Sequence, residues 1–81
     1  MANRVAVISI IVEDESAVGT LNELLHKYGE YIIGRLGIPY RQKNVNIICI
    51  GIDAPNDLIN ALTGALGRIH GINAKATYSN V

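Results

Sequence analysis

Two short runs rich in valine and isoleucine each precede a segment with helical spacing. The runs are RVAVISIIV (residues 4–12) and VNIICIGI (residues 45–52). Each is too short for a buried helix and rich in the β-branched residues that strands favour. After each run, apolar residues recur every three to four positions, as on one face of an amphipathic helix. These helical residues are Val18, Leu21, Leu25 and Tyr28 after the first run and Leu58, Ile59, Leu62, Leu66 and Ile69 after the second.

The remaining segments predict two weaker strands. Residues 31–38 (YIIGRLGI) contain two glycines and precede Pro39, which lacks an N–H to donate and therefore belongs on an edge strand. Residues 40–44 are polar and predict a connecting loop, and residues 72–78 (INAKATY) alternate apolar and polar side chains. The order βαββαβ predicts an α+β, ferredoxin-like sandwich. In it a four-stranded antiparallel sheet has strands one and three at its centre and both helices on one face.

Local signals give expected helix ends. The negative charge of Asp14 fits the start of the first helix, and Gly29 fits its end as a left-handed cap. Asp53 is the expected N-cap of the second helix, with Pro55 in its first turn and Gly71 after its end.

Composition limits the classes of protein to consider. With 81 residues, 49% of them hydrophobic, the chain is expected to form a single domain over residues 1–81. Seven basic side chains balance seven acidic ones, so neither direct nucleic-acid binding nor membrane association is expected. The single Cys49 and the lack of a signal-like segment before the first strand predict a reducing, cytoplasmic setting.

The two central strands are apolar on both sides. If Ile8 and Ile48 face the helices, the opposite face of the sheet is apolar as well, with small residues near its middle. A patch of this kind on a small protein typically marks a subunit interface. We therefore expect a symmetric homo-oligomer, a dimer or a tetramer; the alternative is strand residues partly covered by the hairpin loop. The expected interface residues are Val7, Ser9, Ile11, Ile47, Cys49 and Gly51.

The second strand carries the residues that most favour ligand binding. Alternation places Arg35, Gly37 and Pro39 on one side of this edge strand, and Arg41 follows in the loop. Two guanidinium groups beside glycine-containing backbone can bind a carboxylate or a phosphate. Salt bridges between subunits and ordinary surface charge are the alternatives.

Other chemically reactive side chains do not predict an active site. His26 and His70 lie at predicted helix ends, where interaction with the helix dipole is a simpler role than metal ligation. The carboxylates of residues 13–15 could bind a hard cation, but at a helix start they are typical dipole partners. Cys49 is typical of a small hydrophobic residue in a buried strand. No nucleophilic side chain is accompanied by a recognisable general base. We therefore expect no catalytic residue, metal or cofactor, with a small ferredoxin-like enzyme as the remaining alternative.

Four phrases of the sequence resemble one known family. They are Val12-Glu13-Asp14, NELLH (residues 22–26), RLGIPYR (residues 35–41) and LTGALGRIHG (residues 62–71). Together they are similar to the small family described as regulators of the iron-only hydrogenase system. The resemblance implies an ACT-like fold, similar to the C-terminal domain of nickel-responsive regulators, in proteins that occur beside hydrogenase maturation functions.

This resemblance leads to two functional hypotheses. The first is a non-enzymatic homo-oligomer that binds a small ligand or a hydrogenase-system protein at its subunit interface. The second is a metal-responsive transcriptional regulator related to the nickel-responsive family. His26, His70 and Cys49 do not reproduce the nickel ligands of that family, and residues 14–17 (DESA) lack the proline and glycine of amino-acid-binding ACT turns.

Overall fold

A computed structural model describes residues 2–80, which form a four-stranded antiparallel sheet in the order β2-β3-β1-β4. The strands are Asn3–Val12 (β1), Ile32–Tyr40 (β2), Val45–Pro55 (β3) and Ile72–Tyr78 (β4). The α-helices are Val18–Lys27 (α1) and Asn56–Gly67 (α2), and short 3-10 turns span Glu15–Ala17, Gly29–Tyr31 and Arg41–Lys43. The element order and the central position of β1 and β3 confirm the predicted ferredoxin-like arrangement.

The hydrophobic core lies between one face of the sheet and the two helices. On β1 and β3, alternate residues point toward the helices and are buried. They pack against the apolar side chains on the inner faces of both helices. The largest fully buried side chains are Ile8, Ile10, Val12, Leu21, Ile50, Ile52, Ile59, Leu62 and Leu66. This layer of aliphatic side chains holds both helices against the sheet.

Strand β3 is three residues longer than the sequence predicts, and α2 starts later. The expected N-cap Asp53 is wrong because it pairs with Val5 in the β1–β3 ladder, which continues to Asn3 and Pro55. Ala54 is fully buried against the helices, so the core extends along this part of the strand. Pro55 precedes α2 with an extended backbone (ψ 144°) rather than lying in its first turn.

The helix ends also differ from the predictions. Gly29 is not a left-handed cap; it starts a 3-10 turn instead, and α1 ends at Lys27 with His26 also in its last turn. The helix α2 ends at Gly67, two residues before Ile69. Gly71 adopts a positive φ of 82°, but it does not close α2: it lies four residues past Gly67, in the turn that the Ile72 N–H closes on the Ile69 carbonyl at 3.2 Å.

The strand β2 forms one edge of the sheet, as its proline predicts. Pro39 pairs in register with Asn46 of β3, and an irregularity between Ile32 and Gly34 shifts the register at the start of the strand. Both features interrupt the regular spacing of hydrogen-bonding groups along β2.

Neither helix within residues 2–80 is long and apolar enough to cross a membrane.

Candidate functional site

Loops at one end of the sheet surround a cleft of about 750 Å³. At this end β1 and β2 finish and β3 and β4 begin, so the antiparallel topology brings together segments that are distant in sequence. The volume lies within the range typical of small-molecule sites. The cleft is lined by Glu13, Asp14, Glu15, Pro39, Tyr40, Arg41, Asn44, Val45, Asn46 and His70.

The turn between β1 and α1 forms the acidic wall of the cleft. The Asp14 carboxylate accepts hydrogen bonds from the backbone N–H of Ser16 (3.0 Å) and from its hydroxyl (2.7 Å). Asp14 is therefore the cap of the Glu15–Ala17 turn, which continues into α1. Glu13 and Glu15, on either side, are exposed and add negative charge to the same wall.

These contacts perturb the pKa of Asp14. The Ser16 hydroxyl and then the Ser16 N–H favour the carboxylate and hold its pKa below the ordinary value, and a charged His70 acts in the same direction. Because the folded-state pKa is lowered, this stabilisation is present above the ordinary pKa of about 4 and is lost as the pH falls through the lowered pKa.

A titration of the Asp14 carboxyl carbon by NMR tests this assignment. We expect Ser16→Ala to move the midpoint upward toward that of a free aspartate. The matched control Thr20→Ala removes an exposed hydroxyl from α1 and leaves the midpoint unchanged. An unshifted midpoint in Ser16→Ala would contradict the assigned cause.

The loop between α2 and β4 packs tightly against the acidic turn. The backbone N–H of Glu13 donates to the carbonyl of Gly71 at 2.7 Å. A Cβ added to Gly71 would lie 2.4 Å from the Cβ of Asp14, so only glycine fits this approach. The contact places His70, the residue before Gly71, in the cleft near Asp14.

The basic wall comes from the connection between β2 and β3. Asn44 adopts a left-handed conformation (φ 55°), and its N–H donates to the carbonyl of Arg41 at 3.2 Å. This closes the Arg41–Lys43 turn and presents Arg41 to the cleft. Among residues 2–80 the Arg41 side chain is exposed and makes no hydrogen bond or ion pair. Its five N–H donors are therefore free to bind an anionic group.

The structure separates the four residues predicted to bind a ligand. Arg35, Gly37 and Pro39 share one side of β2, as the alternation predicts. This is the helix side, because they pair with the helix-facing residues of β3. Arg35 donates to the side-chain oxygen of Asn22 on α1 at 2.8 Å and, like Gly37, does not line the cleft. Pro39 and Arg41 do line it.

Sequence reasoning missed most of the cleft. His70, Tyr40, Asn44 and Asn46 line it but were not recognised as a group. The signal that could have found them is the βαββαβ order, since it places the loops after strands one and two beside the starts of strands three and four.

The residues predicted to form an interface share the face of the sheet away from the helices, which we call the outer sheet face. Ser9 pairs with Cys49, Ile11 with Ile47, and Val7 with Gly51. Val7 and Ile11 remain 49% and 41% exposed, whereas the three β3 residues are half-buried. The edge strand adds three exposed side chains that the sequence argument overlooked, namely Leu36, Ile38 and Tyr40.

No three His, Cys, Asp or Glu side chains in the part of the chain that the structure describes are grouped so that they could hold a metal ion. His26 lies at the end of α1, apart from the cleft that contains His70.

Solved structures that are similar to this chain include a protein of substantial sequence identity. An uncharacterized protein of Thermotoga maritima, TM1266, is 39% identical, with a TM-score of 0.90 over 94% of this chain and 96% of that one. Two further structures share the fold alone. A formyltetrahydrofolate deformylase from Pseudomonas putida KT2440 is 13% identical, with a TM-score of 0.68 over 95% of this chain and 29% of that one.

The other is CPII, a nitrogen regulatory PII-like protein from Thiomonas intermedia K12, bound to ADP, AMP and bicarbonate. It is 15% identical, with a TM-score of 0.53 over 99% of this chain and 100% of that one. Comparison with curated proteins gives no match.

A family model covers nearly the whole fold. The model described as "TM1266-like: Iron-only hydrogenase system regulator, putative" matches residues 4–76, from the start of β1 to within β4. The match confirms the resemblance inferred from the sequence phrases. The chain therefore belongs to the TM1266-like family, whose description assigns it to the regulation of the iron-only hydrogenase system.

Proposed function

We propose that this protein is a non-enzymatic, ACT-like regulator of the iron-only hydrogenase system that senses a small polar ligand in the cleft. It acts in the cytoplasm as a homo-oligomer, and ligand binding changes how it engages a protein of that system. The family description supports the regulatory role.

The observation that carries this proposal is the convergence of opposite charges on one cleft. Glu13, Asp14 and Glu15 form one wall, and Arg41 and His70 come from two other connections. Side chains of both signs in a cleft of about 750 Å³ suit a ligand that carries an anionic group and hydrogen-bond donors. The free Arg41 guanidinium would bind the anionic group, and the acidic wall would accept hydrogen bonds from the donors.

The arrangement also provides a route from ligand to helix. Asp14 caps the turn that leads into α1, and Glu13 is bonded to the loop that follows α2. A ligand that contacts the acidic wall therefore touches the connections to both helices. A change in those connections is the step by which a partner protein would detect the ligand.

The proposal is tested by native mass spectrometry of protein purified without added ligand, followed by calorimetric titration of the compound released. If no compound is retained, the probes are inorganic phosphate, adenine nucleotides and small carboxylates. We expect Arg41→Ala to weaken binding about 10- to 100-fold, since a hydrogen bond to a charged group contributes about 1.5–3 kcal/mol.

The matched control is Arg35→Ala. It removes the same side chain from β2, but Arg35 bonds to Asn22 and does not line the cleft, so affinity should change little. Equal losses in the two variants would contradict the cleft as the binding site. If no compound is retained and none of the probes binds, the ligand-sensing role fails and a role in binding partner proteins alone takes its place.

A further inference from the structure

The outer sheet face carries a continuous uncharged block that the fold leaves uncovered. It comprises the outward-facing members of residues 5–11 on β1, 45–51 on β3 and 34–40 on β2. Leu36 is 57% exposed, although leucine normally contributes its side chain to a core. The fourth strand ends the block, because its outward residues are Asn73, Lys75 and Thr77.

The block has a definite centre. Its middle row is Leu36, Cys49 and Ser9, and β3 is the middle of its three strands. Cys49 therefore lies at the centre of the block both across and along the strands. Small residues lie on two sides of it, with Ser9 beside it on β1 and Gly51 one outward position along β3.

We propose that a second copy of this chain covers the block, face to face, with the twofold axis running along β3 past Cys49. In a twofold interface the same patch serves both copies, so the residue at its centre contacts its own symmetry mate. An axis on β3 superimposes the uncharged blocks on each other. It leaves Asp53, the exposed outward residue that pairs with Val5, at the end of the interface opposite its own symmetry mate, where solvent screens the two like charges. It also places Lys75 and the other outward residues of β4 at the solvent-exposed rim.

Large side chains meet small ones in this arrangement. An axis along β3 brings β2 of one copy opposite β1 of the other, so Leu36 lies over the partner copy's Ser9 and Gly34 over its Val7. A depression of about 260 Å³, lined by Ser9, Ile11, Asn73 and Lys75, adjoins that position and can receive Leu36. The row of Leu36, Cys49 and Ser9 thus supplies a protruding side chain on one copy and the recess that receives it on the other.

The area of the block sets the expected strength of association. Three strands and about eight residue steps cover roughly 14 by 25 Å, a flat footprint of about 350 Å² per copy. Side-chain relief increases the buried area, which still falls near or below the 1,200 Å² at the low end of specific interfaces. We therefore expect a dimer that dissociates in the micromolar range.

This proposal rests on the proposed function in one respect: it gives a geometry to the homo-oligomer proposed there. Tyr40 and Val45 belong to the block and also line the cleft, so the cleft opens at the border of the two copies. A ligand bound beside Arg41 would then lie next to the partner copy.

The lone cysteine tests the proposal in the unmodified protein. Cys49 is half-buried in the single chain and would be covered in the dimer. Its labelling by a thiol reagent such as DTNB should slow at least tenfold as protein concentration rises through the dimer transition measured by analytical ultracentrifugation. Protein that is still monomeric at about 100 µM, the concentration range expected from the small footprint, would overturn the proposal. A dimer whose Cys49 reacts as fast as in dilute protein would overturn it as well.

A pair of variants separates the interface from folding and from ligand binding. Leu36→Lys places a charge in the block and should yield a folded monomer whose Cys49 reacts quickly at every concentration. Thr77→Lys adds the same charge on the outer sheet face beyond the block and should leave the dimer intact. Equal dimerisation of the two variants would overturn the proposal.

Binding at the cleft is measured on the wild-type protein and on the same variants. If the retained compound or probe still binds wild-type protein that proves monomeric, the interface fails and the sensing role stands. If the dimer forms and no compound binds, the interface stands and the sensing role fails.

Discussion

Replacing Gly71 with alanine is expected to destabilise the protein by about 3 kcal/mol or more. Two effects add. The positive φ of 82° costs a residue with a Cβ about 1–2 kcal/mol. The new Cβ would also lie 2.4 Å from the Cβ of Asp14 and 3.2 Å from its backbone nitrogen. Asp14 cannot easily withdraw, because its carboxylate and its carbonyl both hold the turn that leads into α1.

Urea unfolding followed by circular dichroism measures this change as a shift of the midpoint. The matched control is Gly64→Ala within α2, where the added Cβ would lie 3.6 Å from the flexible guanidinium of Arg68. That substitution should stabilise the helix by about 0.5–1 kcal/mol, since alanine has the higher helix propensity. If both substitutions shifted the midpoint in the same direction, the packing of Gly71 on Asp14 would not be the cause.

Leu62→Ala should be strongly destabilising, with a loss of about 3–5 kcal/mol. Leu62 is fully buried among the aliphatic side chains of the core, and the helices and the sheet surround it. Chains of this length have a free energy of unfolding of about 4–12 kcal/mol, so the variant should lose a quarter of it or more, and its melting temperature should fall by about 12–40 °C.

Thermal unfolding of Leu62→Ala is compared with that of Ile33→Ala. Ile33 lies at the irregularity of β2, is 66% exposed and is outside the uncharged block. Its truncation should cost about 1 kcal/mol or less, the usual span of strand propensity. Similar melting temperatures for the two variants would mean that the core is not where the structure places it.

Much of the fold was predictable because short-range patterns and core packing agree. The alternating residues of β1 and the stripe of α2 each point one face inward, and those faces meet in the structure. The end of β3 was not predictable from such patterns. Asp53 and Pro55 are common at helix starts, but pairing with β1 and burial of Ala54 extend the strand past both.

The cleft was only partly predictable for a related reason. Arg41 and Pro39 were recognised from their local phrase, whereas His70 and Asn46 come from other connections that only the sheet topology brings near. The apolar outer face of β1 and β3 was predictable. A strand that packs against helices on one side normally has polar residues on the other, so apolar residues on both sides indicate a second apolar face. The contribution of β2 to that face was obscured by its glycines and its proline.

The irregular edge of β2 has a consequence for solubility. A regular free edge can recruit the strand of another molecule and extend the sheet without limit, a common origin of fibrils. Pro39 removes one donor from this edge, and the register shift near Gly34 bends the strand at its other end. Association through a sheet face closes on itself after two copies, so a chain with an apolar sheet face can self-associate without polymerising from this edge.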